Sequence, residues 1–255
     1  MIARPVAIIQ ARMGSSRLPG KVLADVSGAP LLARMIERVR AARQLAGIVV
    51  ATTERPGDAP IRELAPTLGV DVFAGSEDDV LARFVGAAER FGADPVVRLT
   101  ADCPLIDPEV IDRCVATFLA GAWDHLSLGG QFPKGLDTEV TAQRALLAAH
   151  AEARLPSERE HVTPYVWKHP DRFRCGVVTL PEPLAGHRWT VDEPRDLELV
   201  RAVYARLYRP GHVFGWREIA ALLAREPALV AINAGIDPDA GWRRSLEKDA
   251  AMEVP

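Results

Sequence analysis

The chain begins with a short apolar, β-branched run, Val6-Ala-Ile-Ile, that stops at a polar stretch containing Gly, Ser and Pro. This pattern predicts a buried strand running into a loop. Leu31, Leu32, Met35, Ile36 and Val39 then share one helical face, and Arg34, Glu37, Arg38 and Arg40 share the other, which predicts an amphipathic helix packed on the first strand. Gly47–Thr53 reads as a second strand, residues 60–68 as a short helix and Val70–Phe73 as a short strand. The next helix buries Val80, Leu81, Phe84, Val85 and Ala88, and Ser76 with Asp79 three residues later forms a capping-box arrangement at its start. Val96–Leu99 predicts a further strand. Asp107, just before Pro108, predicts the N-cap of a helix with Val110, Ile111, Cys114, Val115, Phe118 and Leu119 facing inward.

The pattern loosens after Trp123. Residues 123–128 read as a strand, followed by Gly129-Gly130 and the segment Phe132-Pro-Lys-Gly-Leu-Asp-Thr-Glu-Val140. Ser157 and Glu160 are spaced as a capping box for another helix. Arg188–Val191 alternates as a strand ended by Asp192, and Pro194 opens a helix that buries Leu197, Val200, Tyr204 and Leu207, with Asp192 or Glu193 as its cap. A helix around Trp216–Leu223 follows. The polar end from Asp237 reads as peripheral, with its last ten residues disordered. The repeated strand–loop–helix order predicts an α/β fold with a mainly parallel sheet covered on both faces. We expect one nucleotide-binding domain over residues 1–235 and a C-terminal tail over 236–255.

Composition narrows the function. With 255 residues and 48% apolar positions the chain is long enough for one large core. A net charge of −3 argues against nucleic acid as a partner. No apolar run approaches the ~20 residues of a membrane span, so no membrane partner is expected. Cys103, Cys114 and Cys175 are widely spaced and read as reduced thiols of a cytoplasmic protein. The histidines form no cluster with zinc-ligand spacing.

Against the acidic average, Ala11-Arg-Met-Gly-Ser-Ser-Arg-Leu-Pro-Gly-Lys21 carries Arg12, Arg17 and Lys21 and no acid. Gly14, Ser15, Ser16 and Gly20 are small enough for backbone N–H groups to approach a ligand. Small residues and clustered positive charge directly after a strand predict a phosphate cradle. It is not a Walker A loop: Gly14 to Gly20 is one residue too long, and Val22 replaces the metal-binding hydroxyl. Nor is it a G-x-G-x-x-G fingerprint. Two further carboxylates, Asp102 and Asp192, each close a predicted strand at the same crevice. Hard cations such as Mg²⁺ are often held by one or two carboxylates plus phosphates, so the two form a candidate metal pair. Thr52 and Thr53 end the second strand and are candidates for contacting a nucleoside.

The loop from Ile8 to Val22 resembles the start of the spore coat polysaccharide biosynthesis protein F family, one of the cytidylyltransferases that resemble CMP-KDO synthetase and acylneuraminate cytidylyltransferase. The resemblance recurs in Gly75-Ser-Glu-Asp-Asp-Val-Leu-Ala-Arg83, Asp102-Cys-Pro-Leu-Ile, Phe132–Glu139, Glu158-Arg-Glu-His-Val-Thr-Pro-Tyr165 and Val191-Asp-Glu-Pro-Arg-Asp-Leu197. It departs at Gln10, where the sugar-acid synthetases usually have Pro, and at Ala101, where Gly is common. The resemblance implies a Rossmann-like, three-layer α/β/α fold of the nucleotide-diphospho-sugar transferase type. It also implies transfer of CMP from CTP to a small anionic acceptor, by family default a sugar acid, with release of pyrophosphate in surface polysaccharide or glycan precursor biosynthesis. A homodimer is implied, with segment 130–175 as the contact.

On that resemblance CTP lies along Gln10, Ala11, Arg12, Gly14, Ser15, Ser16, Arg17 and Lys21, with Thr52, Ser76 and Arg83 toward the nucleoside. Mg²⁺ lies between Asp102 and Asp192. Lys21, Arg12 and Asp102 carry the chemistry. Lys134, Asp137, Glu139, Glu160, His161 and Arg188 face the acceptor. Asp137 and Glu139 are spaced to share a strand face, which a polar edge strand explains equally well. The capping readings of Ser76 and Glu160 are sufficient without any role in a site. His161 is more readily a satisfied core or surface histidine than a general base. Two rivals stand beside this reading. A glycosyltransferase on a similar sheet needs an Asp-x-Asp motif, which Asp102-Cys-Pro-Leu lacks. A non-catalytic nucleotide-binding protein has no use for both Asp102 and Asp192.

Overall fold

The computed structural model describes residues 3–179 and 184–252. β1 (Val6–Gln10) leads into a small hairpin, β2 (Asp25–Val26) with β3 (Ala29–Pro30), and into α1 (Leu31–Arg40). The alternation continues through β4 (Gly47–Thr53), α2 (Ala59–Thr67), β5 (Asp71–Gly75), α3 (Val80–Phe91), β6 (Val96–Thr100) and α4 (Pro108–Ala120). The second half holds β7 (His125–Leu128), β8 (Glu139–Thr141), α5 (Gln143–Glu152), α6 (Pro156–His161), α7 (Pro164–Trp167), β9 (Cys175–Val178), α8 (Pro194–Leu207), α9 (Trp216–Arg225), α10 (Pro227–Ala231) and α11 (Ala240–Met252).

The sheet runs β5-β4-β1-β6-β8-β7-β9. β8 is antiparallel to both of its neighbours, and the other pairings are parallel. Helices flank this sheet in the three-layer α/β/α arrangement that the sequence predicts. β1 is continuously apolar because it is central: Ala7, Ile8 and Ile9 are all fully buried. Burying each isoleucine contributes roughly 1.5–3 kcal/mol.

β1 pairs with β4 on one side and β6 on the other. The chain therefore winds in opposite directions from β1, and the crevice beyond the carboxyl ends of β1 and β6 is a topological switch point. Gln10 lies opposite Thr100, and the Ala101 N–H donates to the Gln10 carbonyl at 2.9 Å. The loop after β1 and the turn holding Asp102 thus leave the sheet side by side.

Several local expectations are corrected. Arg34 and Arg38, placed on the wet face of α1, are buried. The C-terminal elements cover that face: Arg38 donates to the carbonyls of Ile106 (2.6 Å) and Phe214 (2.8 Å), and Arg34 donates to the Tyr208 hydroxyl (2.7 Å). At α3 the cap is Asp79, which accepts from the Ala82 N–H, while the Ser76 hydroxyl accepts from the Asp79 N–H. At α6 the reciprocal carboxylate is Glu158, which reaches the Arg154 and Leu155 N–H groups, and not Glu160. Residues 188–191 form no strand: they make only an isolated bridge, Lys134 with Arg188, and bend at Thr190. Asp192 therefore follows a strap, not a sheet strand. Asp137 precedes β8, so strand alternation does not place it. Asp107 does cap α4, accepting from Glu109 and Val110.

The segment from Asp237 is not peripheral. α11 packs on α6, and residues 246–252, expected to be disordered, are helical. Residues 253–255 of that expectation lie outside the described residues.

Candidate functional site

The loop after β1 is shaped by few bonds. The Met13 carbonyl accepts from the N–H groups of Ser15 and Gly20, both at 2.9 Å, and the Met13 N–H donates to Asp58 at 2.6 Å. Gly20 turns the chain at φ 71°, a conformation glycine adopts freely, and starts a short 3₁₀ turn at Lys21. Among the described residues, none accepts a hydrogen bond from the backbone N–H of Arg12, Gly14, Ser16 or Arg17. A loop with free N–H groups beside Arg12, which makes no ion pair among the described residues, is prepared for an anion.

Lys21 carries the loop's charge into the crevice. Its Nζ lies 3.0 Å from Asp102 Oδ2, 2.9 Å from Asp192 Oδ1 and 2.6 Å from the Val191 carbonyl. Burial alone would lower the pKa of this ammonium, but Asp102 and Asp192 outweigh it and hold the group above its ordinary value. Asp192 is held further by Arg17 Nη2 at 3.1 Å and by Arg188 Nη2 at 2.8 Å. Burial would raise the Asp192 pKa, yet Lys21 and Arg17 keep it below the usual carboxylate value. The strap is tied to the Asp102 turn, since the Val191 N–H donates to the Asp102 carbonyl at 2.7 Å.

Two cavities meet at this cluster. The larger, about 570 Å³, is lined by Gln10, Ala11, Arg12, Ser15, Ser16, Arg17, Lys21 and Arg83 among others. The smaller, about 390 Å³, is lined by Lys134, Asp137, Glu139, His161 and Arg188 among others. Thr100, Asp102, His161 and Asp192 line both. Arg83 is buried, makes no ion pair among the described residues, and leaves its Nε without a partner. Burial and the charge of Arg12 push its pKa down to about 10. Its Nη1 donates to the Ser76 carbonyl at 2.6 Å, so the guanidinium is anchored at one end while its charge lacks a counter-ion, and an anion in the cavity would supply one.

In the smaller cavity Glu139 is committed: Arg98 Nη1 lies 2.5 Å away and Thr163 donates at 2.8 Å. Burial would raise its pKa, but Arg98, His125 and Thr163 together lower it. Asp137 opens into the cavity and also accepts from the Gly135 N–H at 2.7 Å. The protein crowded around it raises its pKa by desolvation. His161 is kept neutral by burial and by the charge of Arg98. The Ser245 hydroxyl donates to Glu160 at 3.0 Å, so His161 Nε2–H is the donor across its 2.9 Å bond to Ser245. That ring nitrogen is not free to act as a base.

Five expected residues do not join the site as placed. Thr52 is fully buried and lines neither cavity, with Oγ1 unpartnered. Its neighbour Thr53 is held by Asp58. Gly14 and Ser76 line neither cavity. Glu160 lines the larger cavity and not the smaller, and is taken up by Ser245 and by Lys248 at 3.2 Å.

The structure adds residues that periodicity could not reveal. Asp196 holds Arg188 through two bonds, 2.9 and 3.0 Å, and Asn233 bonds both Asp196 and the Arg188 carbonyl at 2.9 Å. Asp196 stands in the Val191–Leu197 motif, so its signal was present. Asn233 carried none. Asp102 and Asp192 converge on one cation, the Lys21 ammonium, whose place between them a metal would have to share or take. Among the described residues no cluster of three or more His, Cys, Asp or Glu could hold a metal. Two carboxylates suit a hard cation that completes its shell with phosphate oxygens.

A switch-point loop of free N–H groups and cations, facing a carboxylate pair, defines a nucleotidyltransferase-type site. Residues 6–206 match the family described as cytidylyltransferase, and the chain belongs to that family. It is 33% identical over 227 residues to the spore coat polysaccharide biosynthesis protein SpsF of Bacillus subtilis, covering 86% of this chain and 94% of that one. A 3-deoxy-manno-octulosonate cytidylyltransferase of Anaeromyxobacter dehalogenans is 37% identical over 117 residues, covering 45% of this chain and 47% of that one. Among solved structures, a cytidylyltransferase from Leptospira borgpetersenii superposes with a TM-score of 0.86 at 31% identity, covering 92% of this chain and 99% of that one.

Proposed function

We propose that this cytidylyltransferase transfers CMP from CTP to a sugar acid used in a surface polysaccharide, with Mg²⁺ held by Asp102 and Asp192. The observation that carries the reading is the seam: Asp102 and Asp192 line both cavities, and Lys21, on the wall of the larger, bonds both carboxylates. The larger cavity, with its cationic loop, takes the nucleotide. The smaller takes the acceptor, and the α-phosphorus comes to lie between them.

Lys21 and Arg17 then bind the triphosphate and offset the charge that develops as pyrophosphate leaves. Arg12 and Arg83 line the same cavity and add positive charge there. Arg188, fixed by Asp196, holds Asp192 in place. The bound metal supplies charge neutralisation at the phosphate and lowers the pKa of an acceptor hydroxyl beside it. Catalysis comes from positioning and preorganised charge. Lys134, Asp137 and Arg188 give the acceptor cavity partners for a carboxylate and for hydroxyl groups. The limited span of the likeness to the octulosonate enzyme leaves room for a different sugar acid. A cytoplasmic homodimer joined through segment 130–175 completes the reading, and sedimentation tests the dimer.

The test of the activity is pyrophosphate release from CTP, UTP, ATP and GTP with Mg²⁺ and a sugar-acid panel. Acceptor-dependent release with CTP alone supports the reading. Release that ignores the acceptor, or that follows another base, contradicts it.

A further inference from the structure

The family match ends at residue 206, yet α11, well beyond it, walls both cavities. Pro238 and Trp242 line the smaller cavity, and Arg244 and Lys248 line the larger. Apolar packing does not explain why α11 sits there. Its buried residues are Ser245 and Asp249. It is held to α6 by polar bonds: Asp249 accepts from the Ser157 N–H at 2.8 Å, and Ser245 bonds Glu160 and His161.

Trp242 is half-buried. Its ring centroid lies 5.0 Å from that of His161 and 5.9 Å from that of Trp167, which is itself 40% exposed. Two indoles are thus left partly wet beside a cavity lined mostly by charged and hydroxyl groups. Large aromatic surface held in water is unfavourable, and a ligand that covers it gains what the free protein forgoes. Lys168 Nζ reaches the two rings only at the outer limit of cation–π contact, 5.9 Å from the Trp242 centroid and 6.0 Å from that of Trp167, and a pyranose offers a closer partner: a face of polarised C–H groups for an indole, and hydroxyls around its edge for carboxylates.

We propose that Trp242, with Trp167 beside it, is the platform on which the sugar ring of the acceptor stacks, so that α11 is part of the active site and sets acceptor specificity. The ring's edge then faces Asp137, and its carboxylate faces Lys134. This inference rests on the proposed transfer to a sugar acid.

The test uses the full chain. Wild type is first run with CTP, Mg²⁺ and four probes: 3-deoxy-manno-octulosonate, N-acetylneuraminate, glucuronate and galacturonate. The fastest acceptor is then used with Trp242→Ala, Trp242→Phe and Ser245→Ala. The account expects Trp242→Ala to raise the acceptor KM about tenfold or more, a loss typical of one good stacking contact. The CTP KM should change less than about twofold, and Trp242→Phe should recover most of the acceptor affinity. Ser245→Ala, which loosens α11, should move the CTP and acceptor KM values together. An unchanged acceptor KM in folded Trp242→Ala overturns the inference. So does a joint rise like that of Ser245→Ala, which would make Trp242 a docking residue, and so does a rise in the CTP KM alone. If Trp242→Ala fails to fold, Trp242→Leu, which keeps apolar bulk and removes the aromatic face, takes its place: a raised acceptor KM at an unchanged CTP KM supports the platform, and an unchanged acceptor KM opposes it. No release by wild type with any probe removes the sugar-acid reading itself, and the platform with it.

Discussion

Lys21 and Asp102 stand 81 positions apart in sequence and 3.0 Å apart in space. The contact links the loop after β1 to the turn after β6, the two strands at which the winding of the sheet reverses. Asp192 reaches the same ammonium from the strap before α8. One nitrogen therefore joins the three segments that the sequence marks most strongly.

Removing that nitrogen should separate catalysis from folding. Lys21→Met keeps the side-chain length and loses the charge. Asp192 retains Arg17 and Arg188, so the fold should persist by circular dichroism. Turnover should fall by about 10²–10³-fold or more, the usual loss for one preorganised charge-stabilising donor.

Arg83 is a cost of the empty state. It is buried, lacks an ion pair among the described residues and has an orphaned Nε, and the bond from its Nη1 to the Ser76 carbonyl offsets only part of that cost. Arg83→Met should leave the melting temperature of the free protein unchanged or raise it. CTP affinity, measured by calorimetry, should weaken about tenfold, the value of roughly one charge-assisted hydrogen bond.

Asp137 gives a pH signature. Its side chain is exposed at the cavity, yet the protein crowded around it raises its folded pKa by desolvation, so the charged form carries a small penalty that solvent screening reduces. The penalty is present above the folded pKa. It fades as pH falls through that value and is gone below the ordinary carboxylate pKa of about 3.9. Asp137→Asn keeps an acceptor for the Gly135 N–H. It should raise the melting temperature at neutral pH, with the gain vanishing near pH 3.

Gly135 tests how the strap is seated. It has φ 109°, and a Cβ built there would lie 2.5 Å from the Trp189 carbonyl carbon. Gly135→Ala should destabilise the protein by roughly 2 kcal/mol or more in urea unfolding, from backbone strain together with the clash. CTP affinity should fall with it, because Asp192 rides on the displaced strap.

The first half of the fold was legible because each element carries its own signal. Val6–Gln10 is uniformly apolar, Gly47–Thr53 is bounded by turn residues, and α1 has a full apolar stripe. The cationic loop and both aspartates were legible as chemistry in motifs. What failed depends on long-range neighbours. Arg34 and Arg38 read as wet because helical periodicity cannot see the C-terminal layer that covers them. Glu160 read as a cap because spacing alone cannot distinguish it from Glu158. The strap at 188–191 alternates like a strand, but its partners are a single bridge and the Asp102 turn. α11 read as a tail because its buried positions are polar, held by bonds from α6 that leave no apolar period.

The most direct measurement is phosphorus NMR of the reaction of CTP with an accepted sugar acid and Mg²⁺. The account predicts pyrophosphate and a CMP ester of the acceptor in equal amounts, as attack at the α-phosphorus requires. CDP with a phosphorylated acceptor, or CTP left intact while the acceptor is bound, would contradict it.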